Sequence, residues 1–264
     1  MVNISPFVLL IFIVVFYTGI VLAEDTDTAG IDEEVVSSVD RSNFNSEVEV
    51  RSRCNRKDSP HRNTKNDPTI AILVATTSHN SRSKTDLALT NMFLPTLAGS
   101  LDCGFKYVLV IGFDRNDPFY DTTRGRNEVH RVFDKIVKKR LSRSGIEISL
   151  IIVGLRNDEK RLHVNSLIYN ALARYAAGHR HADYFYRVND DTEFVERWPQ
   201  QFVRSLNDLS APYGVVVPQC EQVESDELMS IRNMTHVFVH KTHLEIFDMN
   251  FFPRELVGHW IDDW

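Results

Sequence analysis

Glycine and proline are scarce in this 264-residue chain, at 11 and 9, and no internal repeat runs through it. Collagen-like, low-complexity and wholly disordered chains are thereby excluded. Cysteine is scarcer still. Cys54, Cys103 and Cys220 are too few for a disulfide-dense scaffold, and no CxxC or Cys/His spacing marks a zinc site. An excess of positive charge is also missing: 30 Lys and Arg stand against 36 Asp and Glu, a net of −6, the wrong balance for a nucleic-acid binder. What remains, 43% hydrophobic and 25% charged, reads as a globular chain.

The charge is unevenly spread. Residues 1–50 hold nine acids and a single base, Arg41, for a net of −8, which leaves 27 acids and 29 bases, a net of +2, for everything behind them. The acidity belongs to the front of the chain. No charged side chain occurs from Met1 to Ala23, and Phe7 to Ala23 is apolar almost throughout. As a helix that run would be about 26 Å long, near the roughly 30 Å of a bilayer core, and it marks membrane targeting. Val21-Leu22-Ala23 fits a secretory cleavage site, whereas the run exceeds the usual signal core of about 7–15 residues and lacks a basic leader. Residues 1–23 are therefore a signal peptide or an uncleaved signal anchor, and both remain open. The rest of the chain is expected on the lumenal or extracellular side, secreted or held in the Golgi lumen as a single-pass type II protein. In the uncleaved case the membrane is a partner.

Residues 24–66 are polar and aperiodic, an acidic disordered stem. In an oxidising compartment three cysteines permit one disulfide and leave one thiol, with the pairing open. Asn233-Met234-Thr235 is a glycosylation sequon.

From residue 67 the pattern changes to short β-branched runs separated by helical stretches. Thr69–Thr77, Lys106–Phe113, Ile146–Val153 and Asp183–Val188 read as strands, and Leu87–Leu101, Arg124–Arg143 and Val164–Ala177 as helices. Their alternation predicts right-handed crossovers and one α/β domain over 67–264, a mainly parallel sheet with helices on both faces. The basic run Lys135 to Arg143 reads as the solvent face of a helix. Ligands of such sheets bind beyond the carboxyl ends of the strands. Polar residues gather there: Thr76, Thr77, Ser78 and Arg82 after the first strand, Asp114 to Pro118 after the second, and Asn189-Asp190-Asp191-Thr192 after the fourth.

Adjacent carboxylates at the end of an apolar strand repel, and one takes up a proton unless a cation or donors compensate. An isolated Asp-Asp pair is usually a turn cap. Directly after a buried strand, a divalent oxygen-loving ion, Mn²⁺ or Mg²⁺, shared with a substrate phosphate is the economical solution. In the segment Thr235 to His243, His236 and His240 share a face, but no further ligand completes a zinc site and ordinary packing is the simpler account. His179 and His181 read as solvated loop residues.

The strand ending in Asn-Asp-Asp, the helix starting near Trp198, the strand Gly214–Pro218 and the terminal Trp260-Ile261-Asp262-Asp263-Trp264 together resemble the GT-A glycosyltransferases. More narrowly, TIAILVATTS, VIGFDRNDPFYD, YFYRVNDDTEF and THVFVHKTHLEIF resemble a group of eukaryotic GT-A-like proteins, over roughly Thr69 to Trp264. The resemblance implies a GT-A-like fold and a metal-dependent transfer of a sugar from a nucleotide-sugar donor to an acceptor hydroxyl on a glycan, glycoprotein or glycolipid. It implies that Asp191 ligates the metal, with Asn189 and Asp190 assisting. Thr76, Thr77, Arg82, Asp114 and Asn165 would face the nucleotide. Inverting N-acetylglucosaminyltransferases carry a similar Trp-Asp-Asp-Trp string, which implies Asp263 as the base that deprotonates the acceptor, with Asp262 beside it. Such enzymes commonly continue past the base, so the domain is expected to be incomplete at its C-terminus. Two rivals stand beside this reading: a non-catalytic secreted or anchored binding protein on the same fold, and a nucleotidyltransferase, which fits lumenal targeting poorly.

Overall fold

The computed structural model describes residues 67–79, 87–141, 144–156, 165–209, 213–218 and 236–253. The N-terminal apolar run, the stem, Arg82, Cys54, Cys220, Asn233, Asp262 and Asp263 lie outside the described residues, as does the side chain of Asn165. No helix among the described residues is long and apolar enough to cross a membrane.

Six strands form one sheet: β1 (Thr69–Thr76), β2 (Lys106–Asp114), β3 (Glu147–Leu155), β4 (Tyr184–Asn189), β5 (Val215–Val216) and β6 (Val237–His240). Their spatial order is β3-β2-β1-β4-β6-β5. β1 to β4 run parallel, and β6 pairs antiparallel with both β4 and β5. The near-continuous apolar runs of β1 and β2 follow from this placement, because a central parallel strand is covered on both faces. Alternation divides the side chains between two layers. Ile70, Ile72 and Val74 face one layer, Ala71 and Leu73 the other.

The first layer is built by α1 (Leu94–Ser100), extended at its start by a π-type turn, Leu89–Phe93, and by α2 (Thr123–Val132), which runs on through Phe133–Lys138 and Lys139–Leu141. Phe93, Leu97, Val129, Phe133 and Val137 are its buried anchors. The second layer is α3 (Asn165–Arg180), which lays Tyr169, Leu172, Ala173 and Ala176 on the opposite face. Each fully buried Leu, Ile or Phe contributes roughly 1.5–3 kcal/mol, so the two layers supply most of the folding drive. Small residues let α3 approach closely: a Cβ on Gly112 of β2 would lie 2.9 Å from Leu172 Cδ2.

After β4 the chain crosses back to the first layer through α4 (Pro199–Asn207). Pro199 suits the first helical position, where its missing N–H costs nothing. The Trp198 side chain provides no cap. Instead the Gln200 N–H, orphaned by the helix start, donates to Asp102 Oδ2 at 3.0 Å, while Trp198 Nε1 donates to Ser100 Oγ at 3.2 Å. The segment leaving the acidic turn is thus moored to α1 at one end. Tyr186 packs against Trp198 and Phe202, with centroids 4.5 and 5.6 Å apart, and completes the mooring through one tilted and one edge-to-face ring contact.

The last described helix, α5 (Thr242–Ile246), belongs to the second layer. Beyond it the chain is clamped to α3. Asn170 Nδ2 donates to the Phe252 carbonyl at 2.9 Å and Asn170 Oδ1 accepts from the Phe252 N–H at 2.7 Å. The side chain of Asn170 is fully buried, so both its polar ends are satisfied by one peptide.

Candidate functional site

The strand order places a topological switch at β1. From β1 the chain passes outward to β2 and β3 with its helices in the first layer, then returns through α3 in the second layer to β4 on the other side of β1. Crossovers leave opposite faces on the two sides of β1, the arrangement that in open α/β sheets forms a crevice at the carboxyl ends of the two flanking strands, here β1 and β4. Ala75 pairs with both Gly112 and Asn189, so three small or short residues line up one step below the rim.

Thr76 and Asp190 close the floor of this crevice. Thr76 Oγ1 donates to Asp190 Oδ2 at 2.5 Å, joining two residues 114 apart in sequence. Burial raises the Asp190 carboxyl above its ordinary value, and the neighbouring Asp191 charge raises it further; the Thr76 hydroxyl and the Asp190 backbone N–H offset part of this. Asp191 turns outward and is exposed. It makes no hydrogen bond or ion pair among the described residues. Asn189 ends β4, half-buried, and its carbonyl accepts from Thr192 N–H at 3.4 Å.

Behind Thr76 lies a second carboxylate, Asp117, 2% exposed. Its Oδ2 accepts from the Ser78 N–H at 2.7 Å and the Thr77 hydroxyl at 3.3 Å; its Oδ1 accepts from the Ser78 hydroxyl at 2.6 Å and from the N–H groups of Phe119 and Tyr120 at 2.9 and 2.7 Å. Burial alone would raise this carboxyl, but the donors from Ser78, Tyr120 and Phe119 outweigh it and hold the group below its ordinary range. Asp117 therefore ties the end of β1 to the turn after β2. Tyr120 sits alongside, 1% exposed, its ring against Phe113 and Phe119. Burial pushes its phenol far up, with the Asp190 and Asp117 charges adding to that, and its hydroxyl, near Thr76, makes no hydrogen bond of standard geometry.

On the other face of β4, Arg187 is 3% exposed and lies between the rings of Tyr169 and Phe252, 4.9 and 5.3 Å from their centroids. It holds its cation against two aromatic rings in the second layer, three positions before Asp190. Thr192 Oγ1 and His236 Nε2, 2.9 Å apart, fasten the far side of that turn to the start of β6.

The structure thus gathers Thr76, Thr77, Asn189, Asp190 and Asp191 around one crevice. Asp114 ends β2 with its Oδ1 buried and unpartnered. Asn165 opens α3. Sequence alone gives Asp117 and Thr192 no role beyond their place in the polar strand-end segments, reads His236 as ordinary packing, and does not single out Tyr120 or Arg187. Only Asp117 carried a signal: an Asp before Pro and two aromatics is a turn initiator whose side chain caps the following N–H groups. Among the described residues no three His, Cys, Asp or Glu side chains converge as a metal cage. The oxygen donors of Asn189, Asp190 and Asp191 nonetheless suit Mg²⁺ or Mn²⁺, which needs only one or two carboxylates when substrate phosphates and water complete its shell. A depression of about 200 Å³ beside His181, Lys241 and Met249 lies at the opposite, amino end of β4, away from all of these groups.

No protein-family model matches the chain, and no curated protein does.

Proposed function

We propose that the chain is a metal-dependent glycosyltransferase of GT-A type, acting in the secretory pathway on a nucleotide-sugar donor. The observation that carries the reading is the acidic turn at the switch crevice: Asp190 drawn in by Thr76 and Asp191 left open to solvent. A half-buried carboxylate with a raised affinity for protons also gains from a neighbouring cation, and the exposed neighbour supplies the ligand that reaches it. Mn²⁺ or Mg²⁺ held there by Asp191, with Asn189 and Asp190 assisting, would neutralise the charge that develops on the departing diphosphate.

The remaining tasks fall to the chain's own groups. The Asp117 clasp holds Thr77 and Ser78 at the wall on which a nucleotide would lie. Asp263, which lies outside the described residues, takes the acceptor hydroxyl proton in an inverting displacement. Pro253, ten positions earlier, follows directly on the Phe252 clamp beside Tyr169 and Arg187, and ten residues span up to about 35 Å, ample to reach the crevice. Cys103 is in a disulfide, which supports an oxidising compartment.

Transfer or hydrolysis of nucleotide sugars with added Mn²⁺ tests the proposal, and Asp191→Ala is expected to lower the rate at least 100-fold, an order set by the loss of metal-assisted charge stabilisation. Full activity in that variant would remove the metal role. The second reading, a non-catalytic binding protein on the same fold, would use the same oxygen donors of Asn189, Asp190 and Asp191 to hold a nucleotide without turnover. Calorimetric binding of a nucleoside diphosphate with Mn²⁺ and no turnover would support it.

A further inference from the structure

Cys103 is held in a disulfide, and both other cysteines, Cys54 and Cys220, lie outside the described residues. We infer that its partner is Cys54, so that the stem is covalently fastened to the amino-end face of the sheet and Cys220 keeps its thiol. Reach decides the pairing. Cys103 lies in the turn between α1 and β2, just before Lys106, beside Gly104 with its φ of 89°. The Lys106 N–H donates to the Pro68 carbonyl at 3.0 Å, and Thr69 pairs with Lys106, so the chain from the stem arrives beside this same turn. Cys54 stands thirteen positions before Asp67, a tether of up to about 45 Å, far more than the return to Cys103 requires.

For Cys220 the reach is too short. This cysteine follows Val216 by four residues, and β5 is the edge strand four places from β2, about 19 Å away at about 4.8 Å per strand. Register places Val216 level with Phe238, Tyr186, Ile72 and hence Leu109, three residues up β2 from Lys106. β5 and β4 are both antiparallel to β6, so β5 has the direction of β2 and carries the chain toward the carboxyl ends, away from Cys103. Four residues cover at most about 14 Å, and a disulfide spans at most about 7 Å between Cα atoms. To meet Cys103 the chain would have to reverse and cross β6, β4 and β1 in a straight line, through a face already filled by α4 and α1.

Forming the bond takes two protons and two electrons from the thiols of Cys54 and Cys103. They pass by thiol–disulfide exchange to a disulfide-bearing oxidoreductase of the oxidising compartment, which is left as a dithiol. The cross-link fixes where the stem leaves the domain: at the amino ends of the strands, about 26 Å along β1 from the crevice at Thr76 and Asp190. A membrane or carrier at the other end of the stem is thereby kept away from the crevice mouth. The inference does not depend on the transferase reading, and each can fail alone.

Peptide mapping of the full chain, expressed through a secretory route, tests it. Free thiols are alkylated in acid before a non-reducing tryptic digest. The expected result joins the peptide Cys54 to Arg56 with the peptide Thr85 to Lys106, and leaves the alkyl label on Cys220 alone. A Cys103–Cys220 cross-linked peptide, or label on all three cysteines, overturns the inference. Cys54→Ser is expected to raise the count of free thiols from one to two and Cys220→Ser to lower it to none; the opposite pattern overturns it equally.

Discussion

Ser78 gives both of its donors to Asp117: its N–H at 2.7 Å and its hydroxyl at 2.6 Å. One buried carboxylate thereby joins the end of β1 to the turn after β2, and three more donors share it. Asp117→Ala is expected to cost roughly 2–4 kcal/mol, since it strands several buried N–H and hydroxyl groups at once. Asp117→Asn retains the shape but turns an amide donor toward donors, and is expected to lose most of the same amount. Because the folded carboxyl is held below its ordinary 3.8, its stabilising contribution is present above about pH 4 and is lost as pH falls through the folded value. Urea unfolding checks both effects, and a variant within 0.5 kcal/mol of wild type, roughly the spread of neutral surface substitutions, would sink the clasp.

Asp190 has the opposite sign. Its folded carboxyl lies above the ordinary 3.8, so the native state binds a proton more tightly than the unfolded chain, and stability declines as pH rises from about 4 through the folded value. Removing the charge relieves this. Asp190→Asn is expected to stabilise the protein by roughly 0.5–2 kcal/mol at pH 7, the usual gain when a strained functional group is neutralised, and to weaken Mn²⁺-dependent nucleotide binding. Thermal unfolding and calorimetry measure the two quantities. A variant that is less stable, with metal-dependent binding unchanged, would show that Asp190 is simply a structural turn acid.

These two acids show what the sequence made legible. The strands from Thr69, Lys106, Ile146 and Asp183 were readable to within two residues, the three central ones because parallel strands covered on both faces are apolar throughout and the edge strand β3 because its run is β-branched. The segment Gly214–Pro218 reads as a full strand, but only Val215–Val216 pairs, against β6 at the sheet edge. Strand ends located the crevice. They did not orient it: nothing in Asn-Asp-Asp says that the middle acid turns in toward Thr76 and the last one out, because that depends on a partner 114 residues away. Asp117 and Asp114 stand three apart in one turn, and sequence favoured Asp114. The choice of Asp117 as the clasp follows from the turn geometry at Asn116, whose φ is 74°, and from the N–H groups it directs inward.

His243 sets an acid limit on the second layer. Burial lowers its affinity for protons, only partly offset by its 2.9 Å hydrogen bond to the Phe251 carbonyl. The unfolded residue titrates near 6.5, so below that pH the unfolded state takes up a proton that the folded state resists, and stability falls as pH drops. The slope from one such group is at most about 1.4 kcal/mol per pH unit. His130 and His240 are shifted the same way by burial and add to it. His243→Gln keeps a donor for Phe251 but does not titrate, and is expected to lose less stability than wild type between pH 7.5 and pH 5. Equal losses in urea would assign the acid sensitivity elsewhere.

Gly112 offers the sharpest test of how the second layer supports the crevice. Its Cα pairs with Ala75, which pairs in turn with Asn189, and α3 rests on this row through Leu172, fully buried with no space to retreat. A methyl group at Gly112 would meet two Leu172 atoms at 2.9 and 3.1 Å. Gly112→Ala is therefore expected to cost about 1–3 kcal/mol by overpacking, and to displace α3 from beneath Asn189. Shortening Leu172 should relieve the clash: Gly112→Ala with Leu172→Ala is expected to be less destabilised than the sum of the two single variants by about 1 kcal/mol or more. Strict additivity in that cycle would mean that α3 does not press on β2 at this point, and that the floor below the acidic turn is held by other contacts.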